Sequence, residues 1–250
     1  VMVARGDLGV EMDLAQVPLL QKQIIERANA ADRYVITATQ MLQSMIDNSF
    51  PTRAEVTDVA NAVIDGTDAV MLSGETAVGK YPFKTVQTMV HIAKTTETFL
   101  SNGNNNRWSW ARINPASVMH NAMGHAALQL CKDIAAKAVA AYSDSGGTGL
   151  YLSKSRPFAP IIIFTSNMEA YRRMKLFWGV IPVFDNSIRN NCDLINRANK
   201  AVLEQGFAMP DDNIVIILSS DFGKIGNNNI IEIKKVTAKK SDCPEYMRHA

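Results

Sequence analysis

The sequence has few cysteines, and they do not form a paired motif. Cys131, Cys192 and Cys243 are odd in number and widely spaced. Disulfide frameworks and zinc sites usually show cysteines in closely spaced pairs. We therefore predict neither a disulfide nor a zinc site, and a reducing, cytoplasmic location. His120 and His125 lie five residues apart on a predicted helix, which does not place them on one face as metal ligands.

Long apolar runs and a strong charge of one sign are also missing. No apolar run reaches the length that spans a membrane, so we expect no membrane partner. The formal net charge is only +2, and the lysines at 234–235 and 239–240 are interpreted as a solvated face rather than a nucleic-acid site. A hydrophobic content of 47% with 20% charged residues predicts a globular chain with a sizeable core.

Three short apolar segments recur in the first hundred residues, each ending in polar side chains. They are residues 2–9 (MVARGDLG), 33–40 (RYVITATQ) and 68–76 (DAVMLSGET). The polar ends at Asp7, Thr39 and Ser73 are spaced by roughly the length of one strand plus one crossover helix, about 30 residues or slightly more. The pattern predicts three repeated βα units.

Helical patterns fill the intervals between these segments. Apolar residues recur on one face from Leu14 to Ala28. Thr52 and Glu55 have the spacing of a capping box at the start of a second helix, and a third begins near Pro82.

Uniformly apolar strands joined by helices indicate a parallel sheet. An eightfold β/α barrel and an open doubly wound sheet both fit, and polar residues at the strand ends favour the barrel. Three units cannot close a barrel. We therefore expect the chain to be the C-terminal half of something larger.

A second domain is predicted after a polar, glycine-containing linker. The linker covers residues 101–114, so the domains are 1–100 and 115–250. A helical pattern runs from 115 to 137. Four apolar segments predict the strands of an open α/β sheet: residues 138–142, 160–164, 180–184 and 213–218.

A hydroxyl- and glycine-rich loop follows the first of these strands. Residues 143–149 (SDSGGTG) lie between a strand and a predicted helix. Backbone amides and hydroxyls at such a position suit a phosphate group. Serine and glycine turns are also ordinary connectors, so the loop leaves both interpretations open.

Four segments of the first domain resemble consecutive signature segments of pyruvate kinases, in that family's order and spacing. They are residues 2–9, 37–45 (TATQMLQSM), 51–55 (PTRAE) and 71–77 (MLSGETA). A looser similarity continues through 155–162 and 178–183. The resemblance implies an α/β chain: the last three βα units of a partial (β/α)8 barrel, followed by an open α/β C-terminal domain.

The resemblance also implies an activity and its residues. Pyruvate kinases transfer a phosphoryl group from phosphoenolpyruvate to ADP, giving pyruvate and ATP, with Mg²⁺ (or Mn²⁺) and usually K⁺. By this likeness Asp7 holds the metal, Gly6 and Asp7 bind the substrate with their amides, and Thr39 is both a substrate-binding and a catalytic residue. Arg53 corresponds to a subunit contact of a homotetramer. The family's catalytic lysine and second metal carboxylate are expected upstream, so the 250 residues alone are predicted to be inactive.

In the second domain the likeness implies an effector loop for a phosphorylated ligand. Its candidate residues are Ser143, Ser145, Gly146, Gly147 and Thr148. Two features depart from the family pattern, because Gly147 stands where a basic residue is common and the neighbouring Asp144 is negative. A second loop at 219–229 occupies the place of another effector loop but lacks the usual Trp, Arg and Pro pattern.

Two other classes of function remain. The chain could be a non-catalytic protein that binds a phosphorylated ligand through its second domain. It could also belong to another magnesium-dependent barrel enzyme acting on phosphoenolpyruvate or pyruvate, such as an aldolase. Residues 37–45 and the linked second domain argue against an aldolase, and a requirement for ADP would separate the two.

Overall fold

The computed structural model describes residues 1–101, 118–224 and 226–237. The chain divides into two compact units, residues 1–112 and 113–250. The predicted linker at 101–114 lies outside the described residues, apart from Ser101 at the end of a helix.

The first unit contains a three-stranded parallel sheet in the order β1-β2-β3. Its strands are β1 (Met2–Ala4), β2 (Ile36–Ala38) and β3 (Ala69–Met71). Its helices are α1 (Arg5–Glu11), α2 (Val17–Ala30), α3 (Arg53–Ile64), α4 (Gly74–Ala77) and α5 (Pro82–Ser101), with 3-10 turns at Leu14–Gln16 and Gln43–Ile46. Three successive parallel strands with helices between them confirm the predicted βα repeat.

The helices cover the sheet with the apolar faces that the periodicity indicates. One cluster joins Val3 and Val35 of the strand segments to Ile25 and Ala28 of α2. A second cluster places Met41, Leu42, Met45, Val59, Ala62, Met89 and Ile92 together. The capping box that starts α3 is present in full, with the Thr52 side chain and Glu55 bonding each other's backbone amides. This fixes where α3 begins.

The second unit is an open five-stranded sheet in the order β6-β5-β4-β7-β8. Its strands are β4 (Val139–Tyr142), β5 (Ile161–Thr165), β6 (Val180–Phe184), β7 (Asn213–Ser219) and β8 (Asn228–Lys235). Its helices are α6 (Val118–Asp133), α7 (Gly147–Ser155), α8 (Met168–Met174) and α9 (Asn191–Glu204). The first four strands in this order are parallel, and β8 is antiparallel to β7.

Both faces of this sheet are buried, which explains its uniformly apolar central strands. Residues of α9 pack on one face with Ile162 and Ile216. Residues of α6, α7 and α8 pack on the other face with Ile163 and Ile217. The predicted open α/β domain is confirmed, with helices on both sides of the sheet.

One strand of the second unit was missed, and one expectation about its cysteines was wrong. Strand β8 was not predicted, because its polar and charged residues resemble a solvated tail; such residues are typical of an edge strand, which must discourage further pairing. Cys192 is disulfide-bonded, whereas Cys131 is free and buried. Disulfide pairing follows from distance in space, which sequence spacing does not report. None of the helices in the described part of the chain is long and apolar enough to cross a membrane.

Candidate active site at the strand ends

Thr39 directly follows β2 in an unusual backbone conformation. Its φ is +67°, and that of the next residue, Gln40, is +53°. Positive φ is rare for any residue with a side chain and rarest for a β-branched one. The Thr39 hydroxyl donates to the carbonyl of Ala38 at 2.7 Å and accepts from the Gly6 amide at 2.8 Å. The turn therefore brings the ends of β1 and β2 into direct contact through one hydroxyl.

Gly6 and Asp7 lie in the first turn of α1, next to this hydroxyl. The Gly6 amide is directed at Thr39 rather than at open solvent. A Cβ at position 6 would stand 3.6 Å from the Thr39 hydroxyl oxygen, an ordinary contact, so this hydrogen bond does not itself require glycine. The Asp7 side chain is exposed in the first helical turn, where the helix dipole favours a negative group. The three predicted residues thus come together at the strand ends.

The magnesium expectation can be tested against the ligands that these residues provide. The described part of the chain contains no group of three His, Cys, Asp or Glu side chains placed to hold a metal. Mg²⁺ is commonly held by one or two carboxylates together with water and substrate phosphates. The exposed Asp7 carboxylate fits the role of one such ligand, and the remaining oxygens must come from elsewhere.

Arg5 is the main residue of this site that sequence reasoning missed. Its side chain is only 8% exposed, although it directly follows a strand. The guanidinium donates to the carbonyl of Thr39 from Nε at 3.1 Å and from Nη2 at 2.7 Å, and to that of Gln40 at 2.9 Å. It also forms an ion pair with Asp58 of α3. In the sequence, the only signal for these contacts is that an arginine precedes the Gly6–Asp7 pair. Nothing there identifies Thr39, Gln40 or Asp58 as its partners.

Two glutamates link the chain segments around Thr39 through hydrogen bonds. Glu75 is 1% exposed and accepts the amides of Leu42 at 3.2 Å and Ser73 at 2.8 Å. Glu55 accepts four hydrogen bonds from Ser44 and Thr52. Partial burial would raise the pKa of Glu55, but these hydrogen bonds outweigh it and hold the pKa below its ordinary value.

Arg53 begins α3 on the exposed side of the same unit. Its predicted subunit contact is not tested by a single chain. Its side chain is exposed to solvent and is therefore accessible to a partner subunit.

The predicted effector loop joins β4 to α7 in the second unit. Ser143 and Thr148 are buried, whereas Ser145 and Gly147 are exposed. Gly146 has φ +73° at the N-cap of α7, so the loop needs glycine at this turn. The hydroxyl of Ser145 accepts the Gly147 amide at 3.3 Å.

The loop's own acidic residue is hydrogen-bonded, and a basic residue from another helix contacts the loop. The Asp144 carboxylate is occupied, because it accepts from the Tyr142 hydroxyl at 2.9 Å and from the amide and hydroxyl of Ser166 at 3.1 and 2.9 Å. Burial, with a smaller contribution from Asp144, raises the pKa of Tyr142. Arg173 of α8 donates to the carbonyl of Ser145. A basic group therefore reaches the loop from a different helix, which no local motif could reveal.

The start of β8 completes the surroundings of the loop. The side-chain Nδ2 of Asn228 donates to the carbonyl of Tyr142 at 2.8 Å and to the Thr148 hydroxyl at 2.6 Å. Phe222, in the turn before β8, packs on the ring of Tyr142 with centroids 4.9 Å apart. The two predicted effector loops are thus adjacent, although residue 225 of the second lies outside the described residues.

Both units match models of known domains. Residues 1–86 match the model described as pyruvate kinase, barrel domain, and residues 121–234 match pyruvate kinase, alpha/beta domain. The chain belongs to the pyruvate kinase family. The family inferred from the four signature segments is thereby confirmed, and the aldolase alternative is ruled out.

Individual pyruvate kinases show how much of the family this chain represents. That of Sporosarcina psychrophila is 42% identical over 232 residues, covering 93% of this chain and 39% of the relative. That of Thermotoga maritima is 39% identical over 236 residues, covering 94% and 49%. A crystal structure of a pyruvate kinase from Cryptosporidium parvum matches with a TM-score of 0.84 at 34% identity, covering 94% of this chain and 46% of that one. The chain therefore spans between 39% and 49% of the length of these relatives.

Proposed function

We propose that the protein containing these residues transfers a phosphoryl group from phosphoenolpyruvate to ADP, giving pyruvate and ATP. Family membership of both units supports this proposal. The observation that carries it is the contact between the Thr39 hydroxyl and the Gly6 amide, beside the exposed Asp7 carboxylate. Strand ends of a β/α barrel are where such enzymes place their reacting groups.

Each of the three residues has a defined part in this proposal. The amides of Gly6 and Asp7, at the start of a helix, bind the substrate carboxylate, and the Gly6 amide exchanges its hydrogen bond to the Thr39 hydroxyl for this contact. The Thr39 hydroxyl exchanges its hydrogen bond to Ala38 for one to the substrate or to an ordered water molecule. Asp7 provides one oxygen ligand for Mg²⁺ or Mn²⁺, which when bound neutralises charge on the phosphoryl oxygens. K⁺ is proposed from family membership alone.

Substitutions in the full-length protein test these roles. Thr39→Val removes the hydroxyl and should lower kcat for pyruvate formation by about 10²–10⁴-fold, while Thr39→Ser should retain much of it. Asp7→Asn should raise the magnesium concentration that gives half-maximal activity. Glu11→Gln, at an exposed carboxylate on the same helix, is the matched control. If Thr39→Val and Asp7→Asn behave like the control, the assignment is wrong.

The 250 residues by themselves are proposed to have no turnover, because their described part contains no group of three His, Cys, Asp or Glu side chains that could hold a metal and Asp7 alone holds Mg²⁺ poorly. The full-length protein should be active where this segment is not. Activity of the segment alone would contradict the proposal. The absence of activity in the full-length protein as well would leave a non-catalytic protein that binds a phosphorylated ligand.

The loop at 143–148 is proposed to bind a phosphorylated effector. Ser143, Ser145 and Thr148 provide hydroxyls, Gly146 and Gly147 provide amides at the N-terminus of α7, and Arg173 lies beside them. Activity at subsaturating phosphoenolpyruvate, measured with and without a sugar bisphosphate, tests this. A response that Gly147→Asp abolishes would support the proposal, and no response would oppose it.

Assembly and location are proposed from the family as well. A homotetramer in the cytoplasm is the expected form, with Arg53 at one subunit contact. Sedimentation of the full-length protein should give a tetramer, and Arg53→Ala should shift it towards smaller species. No membrane or nucleic-acid partner is proposed.

A further inference from the structure

The turn after β2 holds two consecutive residues in the left-handed conformation. Thr39 and Gln40 have φ values of +67° and +53°, and neither is glycine. Such residues are strained and persist only where the surrounding structure holds them. The conformation of this turn therefore has to be stabilised by specific contacts.

Arg5 makes those contacts through its planar guanidinium group. Nη2 donates to the carbonyls of both left-handed residues, at 2.7 Å to Thr39 and 2.9 Å to Gln40, and Nε adds a second bond to Thr39 at 3.1 Å. A lysine could not form this set of bonds, because its ammonium lacks the fixed, forked geometry. Arg5 thus binds the two carbonyls that define the turn.

Asp58 holds Arg5 in place from the neighbouring helix. It pairs with Nη1, the nitrogen that does not bond the turn carbonyls. A nearly buried guanidinium needs such a partner, since an unpaired buried charge is costly. Asp58 is itself 38% exposed and, with Arg5 and Gln40, lines a cavity of about 340 Å³ between α2 and α3.

We propose that the pair Arg5–Asp58 positions the Thr39 hydroxyl for phosphoryl transfer. Neither side chain contacts the hydroxyl. They fix the left-handed turn that keeps this hydroxyl 2.8 Å from the Gly6 amide. This inference rests on the proposed function, in which Thr39 acts on the substrate. Misplacing a reacting group by about 1 Å can cost 10²-fold in rate, so a loosened turn is expected to lower kcat.

Asp58→Asn in the full-length protein is the central test, with Asp65→Asn as its matched control. Asp65 ends the same helix and pairs with Lys22, but it does not touch the turn. Asp58→Asn should lower kcat by about 10- to 100-fold, with the KM for phosphoenolpyruvate little changed. Asp58→Glu, which keeps the charge, should recover part of the loss, and Asp65→Asn should leave kcat close to that of the unmodified protein.

Arg5→Lys provides a second test if Asp58→Asn does not fold. It keeps the positive charge and loses the fork, so kcat should fall although the charge balance is unchanged. Equal kcat values for Asp58→Asn and Asp65→Asn, or a loss confined to KM, would overturn the proposal. So would full activity of Arg5→Lys.

A measurement on the Gly6 amide separates this inference from the proposed function. Its hydrogen exchange, followed by NMR, should accelerate in Asp58→Asn and not in Asp65→Asn. Unchanged exchange in Asp58→Asn overturns the positioning role, whether or not the protein turns over. An unmodified protein that forms no pyruvate overturns the proposed function alone.

Discussion

Glu75 should be far more sensitive to substitution than its distance from the reacting groups suggests. It is 1% exposed, and its two oxygens accept the amides of Leu42 and Ser73. Glu75→Gln keeps the shape of the side chain but replaces one acceptor oxygen with an amino group. One of the two amides, buried at Leu42 and partly buried at Ser73, then loses its acceptor, which costs about 1–3 kcal/mol.

Local hydrogen exchange is the assay that matches this change. If exchange of the Leu42 and Ser73 amides proceeds through local opening, a loss of about 1–3 kcal/mol speeds it roughly 5- to 150-fold. Glu26→Gln makes the same chemical change on the exposed surface of α2 and should stay within about 0.5 kcal/mol. If the two variants exchange these amides at the same rate, Glu75 does not fasten the ends of β2 and β3.

Three further outcomes are expected. Burial raises the pKa of Cys131 to about 11, so iodoacetamide at pH 8 should label it in unfolded protein and leave it unmodified in native protein; equal labelling would contradict its burial. Because the pKa of Glu55 is lowered in the folded protein, its ionised carboxylate stabilises the fold at pH values above the ordinary carboxyl pKa of about 4.3. This stabilisation is lost as the pH falls through the folded pKa. The free energy of unfolding should therefore fall less steeply with acid in Glu55→Gln, and an unchanged acid dependence would refute this. Gly146→Ala and Gly223→Ala both place a Cβ at positive φ, but only the Cβ at position 146 meets a neighbour, the Met174 side chain at 3.2 Å. In urea unfolding, the free energy of unfolding should therefore fall by about 1–3 kcal/mol more in Gly146→Ala than in Gly223→Ala. Equal losses would show that the Met174 side chain moves aside.

The sequence predicted those elements whose signals are local. The spacing of the apolar segments identified the three βα units, and the Thr52–Glu55 pair located the start of α3. The buried strands of the second unit were recognisable because both faces of the sheet are covered. Strand β8 was missed, since an edge strand exposes polar residues and resembles a tail.

The candidate site was predictable only in part, for the same reason. Asp7 and Thr39 follow apolar segments that the sequence identifies as strands, so their place at the strand ends could be predicted. The contacts of Arg5 with the turn, and of Arg173 with Ser145, join residues of different elements. Neither the left-handed turn at Thr39 nor the disulfide of Cys192 leaves a short-range pattern. Such features depend on the packed structure.

The ion pair between Arg5 and Asp58 also constrains how this sequence can change over generations. The two positions are 53 residues apart in the chain, yet the nearly buried charge of Arg5 needs the carboxylate of Asp58 beside it. A descendant that lost Asp58 alone would carry an unpaired guanidinium next to Thr39, and one that lost Arg5 alone would lose the hydrogen bonds to the turn carbonyls. Positions 5 and 58 should therefore be inherited as a unit, and drift at either one alone should be rare.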